Sequence, residues 1–273
     1  MIKVIASAVI AASMLACSGD SVPEAEFPTR SVFVNGHEYK FRIHVPQQRD
    51  QGTAVPVMLY LHGSGTRGED NSAQVGEIAD VLREHPDRFP FIIVFPQCRA
   101  DSYWAGEMMD QAVAALDQTV KEFGGDPSRL YVAGFSMGGF GVWQTAVTYP
   151  NKFAALVPIA GGIEPQGPLA DEQRAVLSPA VRKAADSDDP YRAFAAAIGN
   201  TPVWVVHGGA DDVVSPAGSR KMVAALRANG NPTVKYTELE NVGHWSIREA
   251  FNEPALSDWL LERAAPTKPL HVK

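Results

Sequence analysis

Five short apolar runs decide what this chain can become. VPVMLYLHG (55–63), FPFIIVFP (89–96), RLYVAGFS (129–136), FAALVPIAG (153–161) and TPVWVVHGG (201–209) are almost uninterrupted in apolar residues and end in or beside Gly or Pro. Strands buried on both faces of a parallel sheet read this way, whereas half-exposed strands alternate. Helical patterns separate several of them, over 71–85, 107–123, 137–149 and 216–229. Strand and helix in alternation imply a doubly wound, mostly parallel sheet with helices on both faces. Ahead of the runs, SVFVNGHEYKFRIHV alternates apolar and polar residues about Asn35-Gly36. That dipeptide favours the φ > 0 turn of a two-residue hairpin, so the sheet should carry an antiparallel hairpin at its N-terminal edge. Segment 163–200 is longer than a simple crossover needs.

A chain of 273 residues that is 45% hydrophobic and 20% charged suits one α/β domain with a sizeable core. The net charge of −7 is spread along the chain without a basic cluster, which argues against a nucleic-acid partner. The first residues stand apart. MIKVIASAVIAASMLAC places Lys3 before an apolar stretch from Val4 to Ala16. That stretch is too short to span a bilayer and fits the core of a secretory signal. It reads either as a plain signal peptide with an incidental cysteine or, by resemblance, as a bacterial lipoprotein signal. In the second reading residues 1–16 are removed, Cys17 becomes the lipidated first residue and 17–30 form a tether. Ser18, rather than Asp, would then favour the outer membrane, with the protein on its periplasmic face. With Cys17 lipidated, Cys98 has no disulfide partner.

Chemistry is concentrated at GFSMGGFG (134–141), directly behind an apolar run. Strand, G-x-S-x-G and helix in succession make a tight, strained turn that presents a serine hydroxyl at a helix N-terminus. Ser136 is thus a candidate nucleophile, and the Met137 amide points toward whatever oxygen binds there. A serine needs a base, and His244 in ENVGHWS follows the last expected strand, TVKYTEL. The base needs an orienting carboxylate, and HGGADDVVSP offers Asp211 and Asp212 after run 201–209. The order Ser, Asp, His is that of α/β-hydrolase folds, and all three fall at strand ends, where open α/β sheets place their sites. YLHGSGTRGED (60–70) follows an early strand and supplies a second amide for an oxyanion: Ser64 first, with Gly63 and Gly65 as alternatives. His62 sits too early to be the base and is read as bracing its loop.

These motifs resemble the α/β-hydrolases of the bacterial carboxylesterase group often labelled "predicted peptidase". That group is related to dienelactone hydrolases and polyhydroxybutyrate-depolymerase-like feruloyl esterases. The resemblance runs from about Ser31 to Leu261 through LYLHGSGTRGEDN, VFPQC…W, RLYVAGFSMGGFGVW, YPNKFAALVPIAGG, TPVWVVHGGADDVVSP and NVGHWS. It implies Ser136 as nucleophile, Asp211 as acid and His244 as base, in a catalytic domain spanning 31–265 before a tail of 266–273. The chain departs from the group at Trp245, where relatives often carry a small polar residue, at Ile247, where they often carry Trp, and in much of 163–187.

Trp104, in QCRADSYW (97–104), and Trp245 are candidates to line an acyl or aromatic pocket, against ordinary packing. Cys98 reads as a small apolar filler. Segment 163–187 is either a lid or a surface excursion. The expected reaction is hydrolysis of a small-molecule or oligomeric carboxylic ester through an acyl-enzyme, with neither metal nor organic cofactor. Two alternatives stand beside it. One is a peptidase on the same triad, which would usually bring an added propeller domain. The other is a non-catalytic binding lipoprotein of the same fold.

Overall fold

The structure, a computed structural model, describes residues 23–47, 52, 54–164 and 174–265. The expected signal segment, Cys17, the C-terminal tail and residues 165–173 of the expected lid segment lie outside the described residues.

Eight strands form one sheet in the order β1-β2-β4-β3-β5-β6-β7-β8. β1 (Thr29–Val34) and β2 (His37–His44) make the expected hairpin, with Asn35 at φ 51° and Gly36 at φ 83° in its turn. β2 also runs antiparallel to β4, so two antiparallel pairings close this edge. The other strands are parallel: β3 (Val55–Leu61), β4 (Ile92–Pro96), β5 (Gly125–Phe135), β6 (Ala155–Ile159), β7 (Trp204–Gly208) and β8 (Lys235–Leu239). β4, β6 and β7 are buried at every position, as their unbroken apolar character requires.

Alternate residues of β3 serve two separate cores. Val57, Leu59 and Leu61 join the face covered by α2 (Glu107–Phe123), α3 (Met137–Thr148), α4 (Pro179–Ala185), α5 (Pro190–Ile198) and α6 (Ala217–Ala228). Met58 and Tyr60 join the face covered by α1 (Gly76–Glu84), α7 (Ile247–Asn252) and α8 (Pro254–Leu261). This is the doubly wound, mostly parallel sheet expected from the runs, and the α/β-hydrolase architecture that the resemblance implied. α2 has the expected bounds and stops at Gly124, whose φ of 64° is open to glycine at little strain.

Two expectations change. The tether was expected to reach residue 30, but Phe27 is fully buried, edge-on to Phe95 at 6.0 Å. Glu24 accepts from the Thr29 amide at 2.7 Å and pairs with Arg42. The packed chain therefore already includes Phe27, because an aromatic side chain at position 27 covers the end of β2 and β4. Segment 163–200, read only as long with a short helical pattern, contains α4 and α5. Their starts are marked by Ser178-Pro179 and Asp189-Pro190, in which the cap side chains accept from Val181 N at 3.3 Å and Arg192 N at 3.0 Å.

Candidate active site

The parallel strands deliver their C-terminal ends to one edge, and the loops that leave that edge build the site. Between β5 and α3 the chain turns so tightly that a Cβ on Gly138 would lie 1.8 Å from Leu61 O, and one on Gly134 2.5 Å from Gly138 O. Only glycine fits there. The turn leaves Ser136, the residue preceding α3, at φ 52° and ψ −114°, a strained pair of angles for a non-glycine residue. The amide of Ser136 donates to Ile159 O at 2.9 Å, which ties the strained residue to β6. Met137 opens α3, where first-turn amides lack helical partners.

His244, on the loop after β8, approaches Ser136 Oγ with Nε2 at 2.9 Å. Its Nδ1 lies 2.8 Å from Asp211 Oδ2. Asp211, on the loop after β7, has a fully buried side chain. Its Oδ1 accepts from the amides of Val213 at 2.9 Å and Val214 at 2.8 Å. Burial would raise the Asp211 pKa, but the hydrogen bonds from His244 and the Val214 and Val213 amides outweigh it and hold the carboxyl below its usual value. Asp212 is exposed to solvent. Of the two aspartates the sequence offered, the structure brings only Asp211 to His244.

A second histidine, unmarked by sequence reasoning, completes this cluster. Buried His207 at the end of β7 places Nε2 2.9 Å from Val214 O and 3.2 Å from Asp211 Oδ2. Both partners are acceptors, so Nε2 carries a proton. Nδ1 faces Ser219 Oγ at 2.7 Å, and burial pushes the His207 pKa down.

On the loop after β3, buried His62 links two loops of the site edge. Its Nδ1 lies 2.7 Å from Gly63 O, and its Nε2 accepts from Cys98 N at 3.0 Å. Burial pushes its pKa down to about 4, so it stays neutral and braces the loop. Cys98 is itself fully buried, and burial pushes its thiol up to about 12. Gly63 N–H donates to Glu77 Oε1 at 2.9 Å. That leaves Ser64 and Gly65 as the loop's candidates for a second oxyanion donor. Glu77 also accepts from Tyr60 Oη at 2.5 Å and Thr66 Oγ1 at 3.2 Å. No sequence pattern linked Glu77 to a loop fourteen residues earlier; an acid in the first turn of α1 was the only signal available.

Beside the serine lies a cavity of about 220 Å³, which Ser64, Ser136 and Met137 line together with Tyr103, Trp104 and Phe140. Trp104 is 1% exposed, and its Nε1–H donates to His62 O at 2.9 Å. Trp245 stands elsewhere: 69% exposed and tilted against Phe135 at 5.5 Å, it is not part of this lining. Among the described residues no three His, Cys, Asp or Glu side chains gather to hold a metal ion.

Known proteins are similar to this chain in sequence and in structure. The sequence pattern of the prolyl oligopeptidase family matches residues 99–261. Feruloyl esterase B of Thermothelomyces thermophilus is 29% identical over 232 residues, which cover 77% of this chain and 74% of that protein. An uncharacterized secreted protein of Arthroderma benhamiae is 29% identical over 72% of this chain, which spans only 22% of that protein's length. The crystal structure of a thermostable esterase superposes with a TM-score of 0.71 at 25% identity, over 88% of this chain and 64% of the esterase.

Proposed function

The chain belongs to the prolyl oligopeptidase family, and on that footing we propose that it is a serine hydrolase cleaving carboxylic esters through an acyl-enzyme. The observation that carries this reading is the continuous chain of hydrogen bonds from Ser136 through His244 to Asp211, at 2.9 and 2.8 Å. His244 Nε2 takes the Ser136 proton as Oγ forms its bond to the ester carbonyl carbon. Asp211 holds the ring with its proton on Nδ1 and stabilises the imidazolium. The amides of Met137 and Ser64 hold the oxyanion, both residues lining the same cavity as Ser136. As the carbonyl–alkoxy bond breaks, His244 returns the proton to the departing alcohol. It then takes a proton from water, whose oxygen attacks the acyl carbon. The acid leaves and Ser136 regains its hydrogen.

Ester cleavage is favoured over peptide cleavage by the esterases among the relatives. The family's name keeps the second reading alive, and turnover of aminoacyl p-nitroanilides ahead of p-nitrophenyl acetate would establish it. Export is part of the proposal, with Cys17 as lipid anchor; a protein called secreted is among the relatives.

Ser136→Ala should lower turnover of p-nitrophenyl acetate by about 10³ or more, since only binding and the oxyanion site remain. A fluorophosphonate should label the wild type and not the variant. Labelling that persists in Ser136→Ala would remove Ser136 from the role.

A further inference from the structure

Four large apolar side chains are exposed among the described residues, and two of them flank the triad: Val213 at 62% and Trp245 at 69%. Val213 follows the two aspartates and lines the cavity beside Ser136. Trp245 follows His244 on the other side. A single exposed apolar residue needs no explanation. An indole next to the base, on a loop held by packing, does.

The hold on Trp245 is specific. Phe135, the residue before Ser136, is 2% exposed and lies 5.1 Å from the His244 ring and 5.5 Å from the Trp245 ring, centroid to centroid. The same Phe135 approaches Gly63, where a Cβ would stand 3.2 Å from its Cδ1. Phe135 is therefore common ground for the loop that carries Ser64 and the loop that carries His244 and Trp245. Trp245 leans on it, and the rest of the indole is open to solvent.

Resting on the reading above, the chemistry assigns sides. The atom that His244 Nε2 must reprotonate is the alcohol oxygen, so the alcohol half of the ester lies toward His244. The acyl half then enters the cavity lined by Trp104 and Phe140, which Trp245 does not border. We propose that Trp245 is a specificity-determining platform for the alcohol half of the substrate, and that this half presents a ring face, that of a sugar or an aromatic, to the indole. A rigid aromatic face already fixed by packing binds such a ring with little ordering penalty, while a flexible alkyl chain gains less from it.

The test holds the acyl group constant. Benzyl acetate, n-pentyl acetate and an O-acetylated methyl glycoside are compared in wild type, Trp245→Ala and Trp245→Phe. Trp245→Ala should lower kcat/KM about tenfold for a ring alcohol, the scale of one aromatic contact, and by at most about a third of that for n-pentyl acetate. Trp245→Phe should recover most of the loss. The ring ester with the larger loss identifies the ring as sugar or aromatic. Equal losses on ring and chain alcohols, or no loss on either ring ester, would overturn the proposal. Ser136→Ala in the same assays separates the two readings. Turnover surviving that change sinks the triad, whereas a dead Ser136→Ala with an unselective Trp245→Ala sinks only the platform.

Discussion

Replacing Asp211 by asparagine changes one atom and should stop the enzyme. The carboxylate has four donors around it: the Val213 and Val214 amides on Oδ1 at 2.9 and 2.8 Å, and on Oδ2 His244 Nδ1 at 2.8 Å and His207 Nε2 at 3.2 Å. Asparagine offers one acceptor oxygen. If that oxygen keeps the two amides, the new NH₂ group points at two ring nitrogens that both carry protons. His207 can yield only by leaving Val214 O, 2.9 Å away, without its donor. His244 yields more easily, moving its proton to Nε2, the nitrogen that faces Ser136. In that tautomer it cannot accept the serine proton. The same loss in a serine protease triad costs about 10⁴ in kcat, or about 5 kcal/mol of barrier. Asp211→Asn should therefore fold, keep its melting temperature within a few degrees, and fall by about that factor in kcat for p-nitrophenyl acetate. Asp212 is exposed, so Asp212→Asn should stay within about twofold of wild type, as surface changes remote from such contacts do. A folded Asp211→Asn that keeps a tenth of its activity, or an Asp212→Asn that loses as much, would refute the tautomer argument.

Two further outcomes test the loop and the leader. Burial raises the Glu77 pKa against the hydrogen bonds from Tyr60, the Gly63 amide and Thr66. The folded state thus holds that proton more tightly than the unfolded chain, and stability should fall as pH climbs from the ordinary carboxylate value through the raised one. Glu77→Gln keeps an acceptor for Gly63 N–H and cannot ionise, so urea midpoints should lose that fall. An unchanged pH slope would assign it to other groups. Palmitate labelling of the full chain expressed in bacteria should depend on Cys17, and equal labelling of Cys17→Ser would reject the lipid anchor.

Most of the frame could be read from the chain because runs such as IIVF and LVPI, short, β-branched and bounded by Gly or Pro, suit the interior of a parallel sheet. Asn35-Gly36 and the glycines about Ser136 were legible for a similar reason: few other residues tolerate those turns. What escaped was decided by side chains meeting across the fold. His207 reads as one more residue of an apolar run until Asp211 folds back on it. Glu77 reads as an acid in the first turn of a helix, yet it holds the amide of Gly63. Trp104 and Trp245 looked alike as pocket candidates. Packing against His62 sends the first into the cavity lining, whereas Phe135 leaves the second in solvent. Phe27 fell within the expected tether because nothing local announces a lone aromatic that closes over β2 and β4.

The three residues of the proposed triad are far apart along the chain, 108 residues from Ser136 to His244 and 33 from Asp211 to His244. Contacts this distant in sequence close long loops, and that entropy is met before they contribute any stability. β8, which delivers the His244 loop, is the last strand among the described residues and pairs with β7 at the sheet's edge. A chain still leaving the ribosome already contains Ser136 and the elbow sequence that presents it, but nothing to deprotonate it. On the proposed triad, hydrolysis should switch on only when β8 docks, so that the nascent polypeptide carries an inert serine and activity keeps time with the completion of the sheet.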